Sequence, residues 1–321
     1  MGNNKKHPVL FATGLVLGCM AAYNYNENKK ATSNNVNKKE DCRIYNGRFG
    51  DISYKHYGSG SPILLIHSLS PASGMAEWMP TAKLLAEEHS VYVLDLPGCG
   101  FSDKNNLEYS AYMYALAIND FVHNRICRHH DDYGISAIAA STAAPLLICA
   151  AALNASLYKE LYLVNPQTMD KCYCNPTTKS SLVKLERLVC MTPVIGSFIY
   201  NCHYSRENIL SRLSADNPSL SDEALEELTD CMYEASHTGG FSSKFLFSSI
   251  TGNLLSMDVS RMLSKLTVCT CIIAGGDNKQ VKSCLSTFDC EKDNISTIIL
   301  EDINNPQLEC PDRLANILNK L

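Results

Sequence analysis

The chain has 321 residues, of which 45% are hydrophobic and 19% are charged, and its formal net charge is -5. This length suits one large α/β domain with an insertion or two small domains, and the apolar content is too high for a disordered protein. Because the charge is negative and no basic face is visible in the sequence, we do not expect nucleic acid as a partner.

The fifteen cysteines are scattered and odd in number. Disulfide frameworks belong to short secreted chains, so we predict that most of these cysteines are small buried hydrophobic residues in a reducing setting. Two CxC pairs, Cys172/Cys174 and Cys269/Cys271, lack a His or Cys partner at metal-site spacing. The glycine-rich segment 56–62 precedes a predicted strand instead of joining a strand to a helix. We therefore predict neither a metal nor a cofactor.

Residues 1–26 predict a membrane anchor or signal segment. Two lysines precede an uncharged stretch that begins at Pro8 and extends to Asn26. Its apolar part is short for a membrane span, which needs about 20 residues. We favour a single signal-anchor helix, which places the protein at the cell membrane with one pass; a cleaved or lipidated signal and a hydrophobic N-terminus outside the membrane remain open. Lysines lie on both sides of the stretch, so the side of the membrane is not predicted.

Residues 27–49 predict a polar linker because they show no hydrophobic periodicity. From residue 50 the pattern changes, and residues 51–60 predict an edge hairpin that ends in a glycine-rich turn. Later apolar runs predict buried strands at 62–68, 91–96, 134–140, 160–166, 268–276 and 296–302. Helical patterns lie between most of these runs, which indicates an α/β protein with a mostly parallel sheet flanked by helices.

Function in such sheets is expected at the carboxyl ends of the strands. Here those ends carry HSLSPASGMAEW (67–78), DLPGCGFSDK (95–104), ASTAA (140–144) and GGDN (275–278), and the chain closes with PQLECP (306–311). This ordered set resembles the α/β-hydrolase family. The most specific match is DLPGCGFSD, since the family commonly has Asp-x-Pro-Gly-x-Gly-x-Ser at that place.

The resemblance implies an α/β-hydrolase core of residues 50–165 and 256–321, with residues 166–255 inserted as a helical lid. The lid segment YEASHTGGFSSKFLFSSITGN (233–253) is also similar to a membrane-tethered clostridial-type subgroup of that family. Aromatic and apolar runs in such lids line pockets for acyl or lipid-like ligands, although they also serve as ordinary core.

The resemblance implies a catalytic serine at Ser141, where Ala-Ala-Ser-Thr-Ala stands in place of Gly-x-Ser-x-Gly. A serine before an Ala-rich helix is also an ordinary helix cap, and both interpretations remain open. The oxyanion hole would use the backbone N–H groups of Thr142 and Leu69. The family's acid position matches Asp277, which is equally a turn residue.

The base is the difficulty, because no histidine follows Asp277 and the family's histidine position holds Asn304. An amide does not take a proton from serine at neutral pH, so the degenerate triad needs another base. His237 in the lid is our candidate, with Glu234 one turn before it to orient the ring; the alternative is a histidine that only packs the lid.

Two functions remain open. The first is a serine hydrolase that acts on an ester-like, apolar small molecule through Ser141 and Asp277. The second is a catalytically degenerate protein of the same fold that binds a small ligand or a partner without turnover, a possible pseudoenzyme. Under either one, the N-terminal segment predicts attachment to a membrane.

Overall fold

An eight-stranded sheet forms the centre of the molecule. The computed structural model describes residues 6–37, 41–130, 134–167, 180–276, 285, 288 and 293–319. The strands are β1 Arg43–Gly47, β2 Gly50–Tyr57, β3 Ser61–Ile66, β4 His89–Leu94, β5 Ile135–Ala140, β6 Tyr158–Val164, β7 Cys269–Gly275 and β8 Ile295–Leu300. Each strand predicted from an apolar run is present at nearly the predicted position, but β8 lies at the sheet edge and is buried only at Leu300.

The strands lie in the order β1-β2-β4-β3-β5-β6-β7-β8. The pairs β1–β2 and β2–β4 are antiparallel, and the pairs from β4 to β8 are parallel. A parallel pair needs a long crossover, and helices between the strands supply it. The fold prediction, a mostly parallel sheet flanked by helices, is therefore confirmed, and the carboxyl ends of β3, β5, β6 and β7 meet at one edge.

Helices cover both faces of the sheet. They are α1 Lys6–Ala31, α2 Met79–Leu85, α3 Ala111–Phe121, α4 Ala144–Leu153, α5 Ser180–Met191, α6 Ile195–His203, α7 Arg206–Asp216, α8 Asp222–His237, α9 Lys244–Thr251, α10 Val259–Lys265, α11 Pro306–Glu309 and α12 Pro311–Leu318. Side chains of α3, α4 and α10 fill the core on one face, and those of α2 and α12 fill it on the other. Both faces are buried because the central strands are apolar throughout.

The N-terminal segment packs on the lid. The helix α1 continues to Ala31, and β1 begins at Arg43, so regular structure occupies both ends of the segment predicted as a linker. Asn24 is 1% exposed; its side chain donates to the Val194 carbonyl and accepts from Asn201. Within the described ranges, the structure contains no helix with the length and apolarity needed to cross a membrane.

Within the predicted lid (166–255), residues 180–251 fold into the five helices α5 to α9. Serines cap the N-termini of α7 and α8: Ser205 and Ser221 each accept a hydrogen bond from the backbone N–H three residues later. Lys244 is buried, and its ammonium group donates to the Thr192 carbonyl at 2.6 Å and to the Ser197 hydroxyl at 3.1 Å. These bonds tie α9 to the turn between α5 and α6.

Candidate functional site

Ser141 lies on a strained turn between a strand and a helix. It follows β5 directly, begins a single 3-10 turn and precedes α4. Its φ is +48°, a conformation that costs an ordinary residue roughly 1–2 kcal/mol. A helix cap has extended backbone and accepts an N–H, whereas Ser141 has neither feature: the residue before the turn, Ala140, is the cap and makes no side-chain bond. The helix-cap interpretation is therefore not supported, and the geometry is that of a nucleophile elbow.

The turn is made possible by small neighbours. Ala139, Ala140 and Ala143 are all fully buried, so larger side chains at these flanks would have no space. The backbone carbonyl of Ser141 accepts the Gln167 N–H at 3.2 Å, which joins the turn to the chain after β6. Alanine thus replaces the family's glycines here without preventing the turn.

The two predicted oxyanion residues are in direct contact, but one donor is already used. The Leu69 N–H donates to the Thr142 hydroxyl oxygen at 2.9 Å, and that hydroxyl donates back to the Leu69 carbonyl at 3.3 Å. A reacting oxygen can accept the Leu69 N–H only after the Thr142 side chain turns away. The sequence predicted the two residues and did not predict this bond.

His67 is a structural histidine. It is fully buried, its Nδ1 lies 2.6 Å from the Ser68 carbonyl oxygen, and its Nε2 accepts the Leu96 N–H at 2.9 Å. These partners require the neutral ring with the proton on Nδ1. The ring therefore fixes the loop after β3 against the loop after β4.

The motif DLPGCGFSD is organised by its first residue. The carboxylate of Asp95 is buried and accepts the N–H groups of Met75 and Phe101, each at 2.8 Å. Gly100 has a φ of +47°, and a Cβ there would lie only 2.1 Å from the Asp95 carboxylate. Only glycine fits this approach, which explains the second glycine of the motif.

A polar network that the sequence did not predict runs across the site. The Glu77 carboxylate accepts the Ser68 N–H and the Ser68 hydroxyl, each at 2.9 Å, and the Gln307 amide at 3.1 Å. The Ser68 hydroxyl oxygen also lies 2.9 Å from that of Ser73. Ser68 stands where the family usually has glycine, and Gln307 comes from α11, so this network links the loop after β3 to a helix that lines the same cavity as Ser141.

Asn304 lies in a loop held by the carboxylate of Glu309, which accepts the Asn304 N–H at 2.7 Å and the Asn305 N–H at 3.3 Å. The fully buried Asn165 also holds this loop, because its amide nitrogen donates to the Asn304 carbonyl at 2.7 Å and to the Asn305 side chain at 2.9 Å. Its amide oxygen accepts the Gly275 N–H at 2.7 Å. Asn165 was not singled out from the sequence; its position directly after a buried strand was the available signal.

His237 packs inside the lid. It is 1% exposed, its Nδ1 lies 2.9 Å from the Tyr233 carbonyl oxygen, and its ring packs against the rings of Tyr200 and Tyr233. Burial lowers the pKa of His237 below its usual value, although the bond to Tyr233 acts in the opposite direction. Glu234 does not orient the ring as we expected: its carboxylate instead accepts the backbone N–H and side-chain amide of Asn37, both at 2.8 Å. Asp277, the predicted acid, lies outside the described residues.

A cavity of about 760 Å³ opens beside Ser141. Its lining from the core includes the polar residues Ser68, Ser73, Glu77 and Gln307. The lid contributes the charged residues Asp216 and Glu227 and the apolar residues Leu213, Leu220, Leu228, Met232 and Ala235. Val36, Asn37 and Asp41 complete the wall, so the segment before β1 contributes to the site. No histidine is among the described residues that line this cavity, and the described ranges contain no cluster of His, Cys, Asp and Glu suited to a metal ion.

Comparisons with known proteins agree with this architecture. A family model described as alpha/beta hydrolase fold matches residues 61–186. A serine hydrolase involved in carbazole degradation is similar in structure, with a TM-score of 0.69, 19% identity, and coverage of 87% of this chain and 97% of that chain. A membrane phospholipase A, described as a bacterial virulence factor, has a TM-score of 0.66 and 20% identity, and the match covers 97% of this chain and 96% of that chain.

An epoxide hydrolase is similar at 16% identity, with a TM-score of 0.66 and coverage of 87% and 97% of the two chains. A search of curated protein sequences finds no significant match. At these sequence identities the structural likeness concerns the fold alone. The strand order and the solved structures therefore both show the α/β-hydrolase fold.

Proposed function

We propose that this protein of the α/β-hydrolase fold is a serine hydrolase that cleaves an ester-like bond in an apolar small molecule, with Ser141 as nucleophile. The observation that carries the proposal is the turn at Ser141. A positive φ at a non-glycine residue is costly, and it presents a serine hydroxyl to a cavity of suitable size. A serine that only packed at the start of a helix would not need this strain.

The cavity supports an apolar acyl substrate. The helices α7 and α8 contribute several apolar side chains together with Asp216 and Glu227, and the core contributes Ser68, Glu77 and Gln307. This mixed lining suits a substrate that has an apolar chain and a polar ester group near Ser141. The N–H of Thr142 would bind the developing oxyanion, and the N–H of Leu69 would join it after the Thr142 hydroxyl turns away.

The proton acceptor differs from the family's histidine. Asn304 occupies that position and His237 is not among the residues that line the cavity, so neither fits the role. Glu77 lines the cavity and already accepts a serine hydroxyl, that of Ser68. A carboxylate is a weaker base than imidazole, so we expect slow turnover if Glu77 accepts the proton.

We also propose that the protein is attached to a membrane through its N-terminal segment. All described residues from Leu10 to Cys19 are exposed, and most of them are apolar. The structural likeness to the membrane phospholipase A extends over 97% of this chain, whereas the likeness to the carbazole-pathway hydrolase extends over 87%. Both observations support a protein that meets lipid at its N-terminus.

The test is hydrolysis of nitrophenyl esters of increasing acyl length by the full chain in detergent. We expect hydrolysis that increases with acyl length and is lost in Ser141→Ala. Ser156→Ala is the matched control, because this exposed serine lies outside the cavity lining. Equal hydrolysis by Ser141→Ala and the wild type would reject Ser141 as nucleophile.

A second candidate is binding without turnover. Two observations favour it: no histidine is among the described cavity residues, and the Leu69 N–H is already paired with Thr142. Under this function the protein would retain an acyl ligand that native mass spectrometry detects, and it would release no product from any ester. Ester hydrolysis that depends on Ser141 would reject it.

A further inference from the structure

We propose that the outer face of the lid lies on the surface of a lipid bilayer. This docking face consists of Leu182, Leu185 and Leu188 on α5 with Ile195 and Ile199 on α6. The inference rests on the membrane attachment proposed above and extends it, because a second surface, distant in sequence from α1, then also contacts lipid. It does not depend on hydrolase activity.

The first observation is the exposure of α5. Leu182, Leu185 and Leu188 are 59%, 55% and 63% exposed. They recur every three residues and therefore lie along one side of the helix. A surface helix normally turns its apolar stripe toward the core and its polar side toward water. Here the leucine stripe faces outward, which indicates a partner that is apolar itself.

The second observation is that the exposed hydrophobic side chains are concentrated in two parts of the chain. Seventeen large hydrophobic side chains are exposed in the described part of the chain, and twelve of them belong to α1 or to the segment 180–251. Scattered apolar residues are normal on a protein surface, but an accumulation on one part of the molecule marks an interaction site.

The third observation is the rigid connection between the two apolar surfaces. The helix α6 contacts both α1 and α5. Asn24 of α1 is bonded to Val194 and Asn201, and the rings of Tyr23 and Phe198 pack edge to face at 5.3 Å. A membrane that receives α1 is therefore held at a fixed place relative to the docking face.

A bilayer fits this surface better than a second protein does. Between Leu10 and Leu17, the exposed apolar residues of α1 (Leu10, Phe11, Leu15, Val16 and Leu17) point in directions all round the helix axis. A protein partner would cover one side, whereas hydrocarbon surrounds a helix completely. Lys29 and Lys30 follow on the same helix and are exposed, which suits the level of anionic headgroups.

The chain offers a sensitive reporter because Trp78 is its single tryptophan and is fully buried. A second tryptophan is introduced in Leu185→Trp on the docking face, in Leu15→Trp on α1, and in Leu153→Trp as a control. Leu153 is 45% exposed and lies at the end of α4 in the core domain. The full-length proteins are placed in vesicles of phosphatidylcholine and phosphatidylglycerol, with and without brominated acyl chains.

We expect bromine to quench the fluorescence of Leu185→Trp and Leu15→Trp by at least about twofold more than that of Leu153→Trp. Quenching of Leu15→Trp while Leu185→Trp behaves like Leu153→Trp would show that the lid stays off the membrane and overturn this inference alone. Quenching of Leu185→Trp without Leu15→Trp would support the docking face and reject attachment through α1. Quenching of neither would reject both.

A second measurement separates lipid from a second copy of the chain. The triple variant Leu182→Ser, Leu185→Ser, Leu188→Ser is compared with the wild type by light scattering in detergent. We expect the same mass for both. A wild-type dimer that becomes a monomer in the variant would show that this face binds another copy, contrary to the proposal.

Discussion

Replacing Asn165 with alanine should destabilise the protein by at least about 4 kcal/mol. The substitution removes the partners of two backbone groups, the Gly275 N–H and the Asn304 carbonyl, and of the Asn305 side chain. Each buried group left unpaired costs about 1–3 kcal/mol. Asn165 also has a φ of +48°, which asparagine tolerates and alanine does not, and this adds about 1 kcal/mol.

Urea unfolding followed by the fluorescence of the single tryptophan, Trp78, measures this loss. Asn165→Gly is the matched control, because it loses the same hydrogen bonds but relieves the positive φ. We expect it to be about 1 kcal/mol more stable than Asn165→Ala. A loss below about 1 kcal/mol in Asn165→Ala would refute the view that this amide holds the loop of Asn304.

Three further predictions concern the site. Asn304→His should change ester hydrolysis by less than about tenfold, because Asn304, like His237, is not among the described residues that line the cavity; a larger gain that is lost in Ser141→Ala would contradict this. His237→Phe should weaken the pH dependence of stability. Burial lowers the pKa of His237 in the folded protein below its usual 6.5. The unfolded chain therefore binds more protons below that pH, and the wild type loses stability on acidification. Melting temperatures of the wild type and of His237→Phe at about pH 7.5 and pH 5.5 measure this difference. Thr142→Val should cost about 1–2 kcal/mol because the Leu69 N–H loses its partner, whereas Thr142→Ser should lose little in urea unfolding.

The sequence predicted the sheet well because its strands are continuous apolar runs. Residues 62–66, 91–94, 135–140 and 160–164 all lie in strands of the structure. Such runs cannot be solvated, so their burial follows from composition alone. The strand β1 was not predicted because it lies at the sheet edge and pairs with β2 only, and its residues are mostly exposed or half-buried.

The position of Ser141 was also predictable, since a motif at a strand end fixes where a residue lies. Its side-chain partners were not, because hydrogen bonds join residues far apart in the chain. Glu77 meets Gln307, Asn37 meets Glu234, and Leu69 meets Thr142. These contacts require the relative placement of loops, which local patterns do not contain.

His237 also shows that the sequence predicts where a residue lies better than it predicts the partners of its side chain. The sequence contains this histidine in the lid beside two glycines, and we predicted it as the base for Ser141. In the structure the ring is buried between Tyr200 and Tyr233 and bonded within its own helix, and the sequence did not predict these contacts. Asn24 is a second case, because an asparagine near the end of the segment predicted as a membrane anchor is a buried contact between α1 and the lid.

The most direct test of the central claim is covalent labelling of Ser141. The detergent-solubilised full chain is treated with a fluorophosphonate probe, and the modified peptide is identified by mass spectrometry in the wild type, Ser141→Ala and Glu77→Gln. The account predicts a phosphonylated Ser141 in the wild type, no adduct in Ser141→Ala and slower labelling in Glu77→Gln. Labelling of the wild type no greater than that of Ser141→Ala would contradict it and favour a binding protein on a hydrolase scaffold.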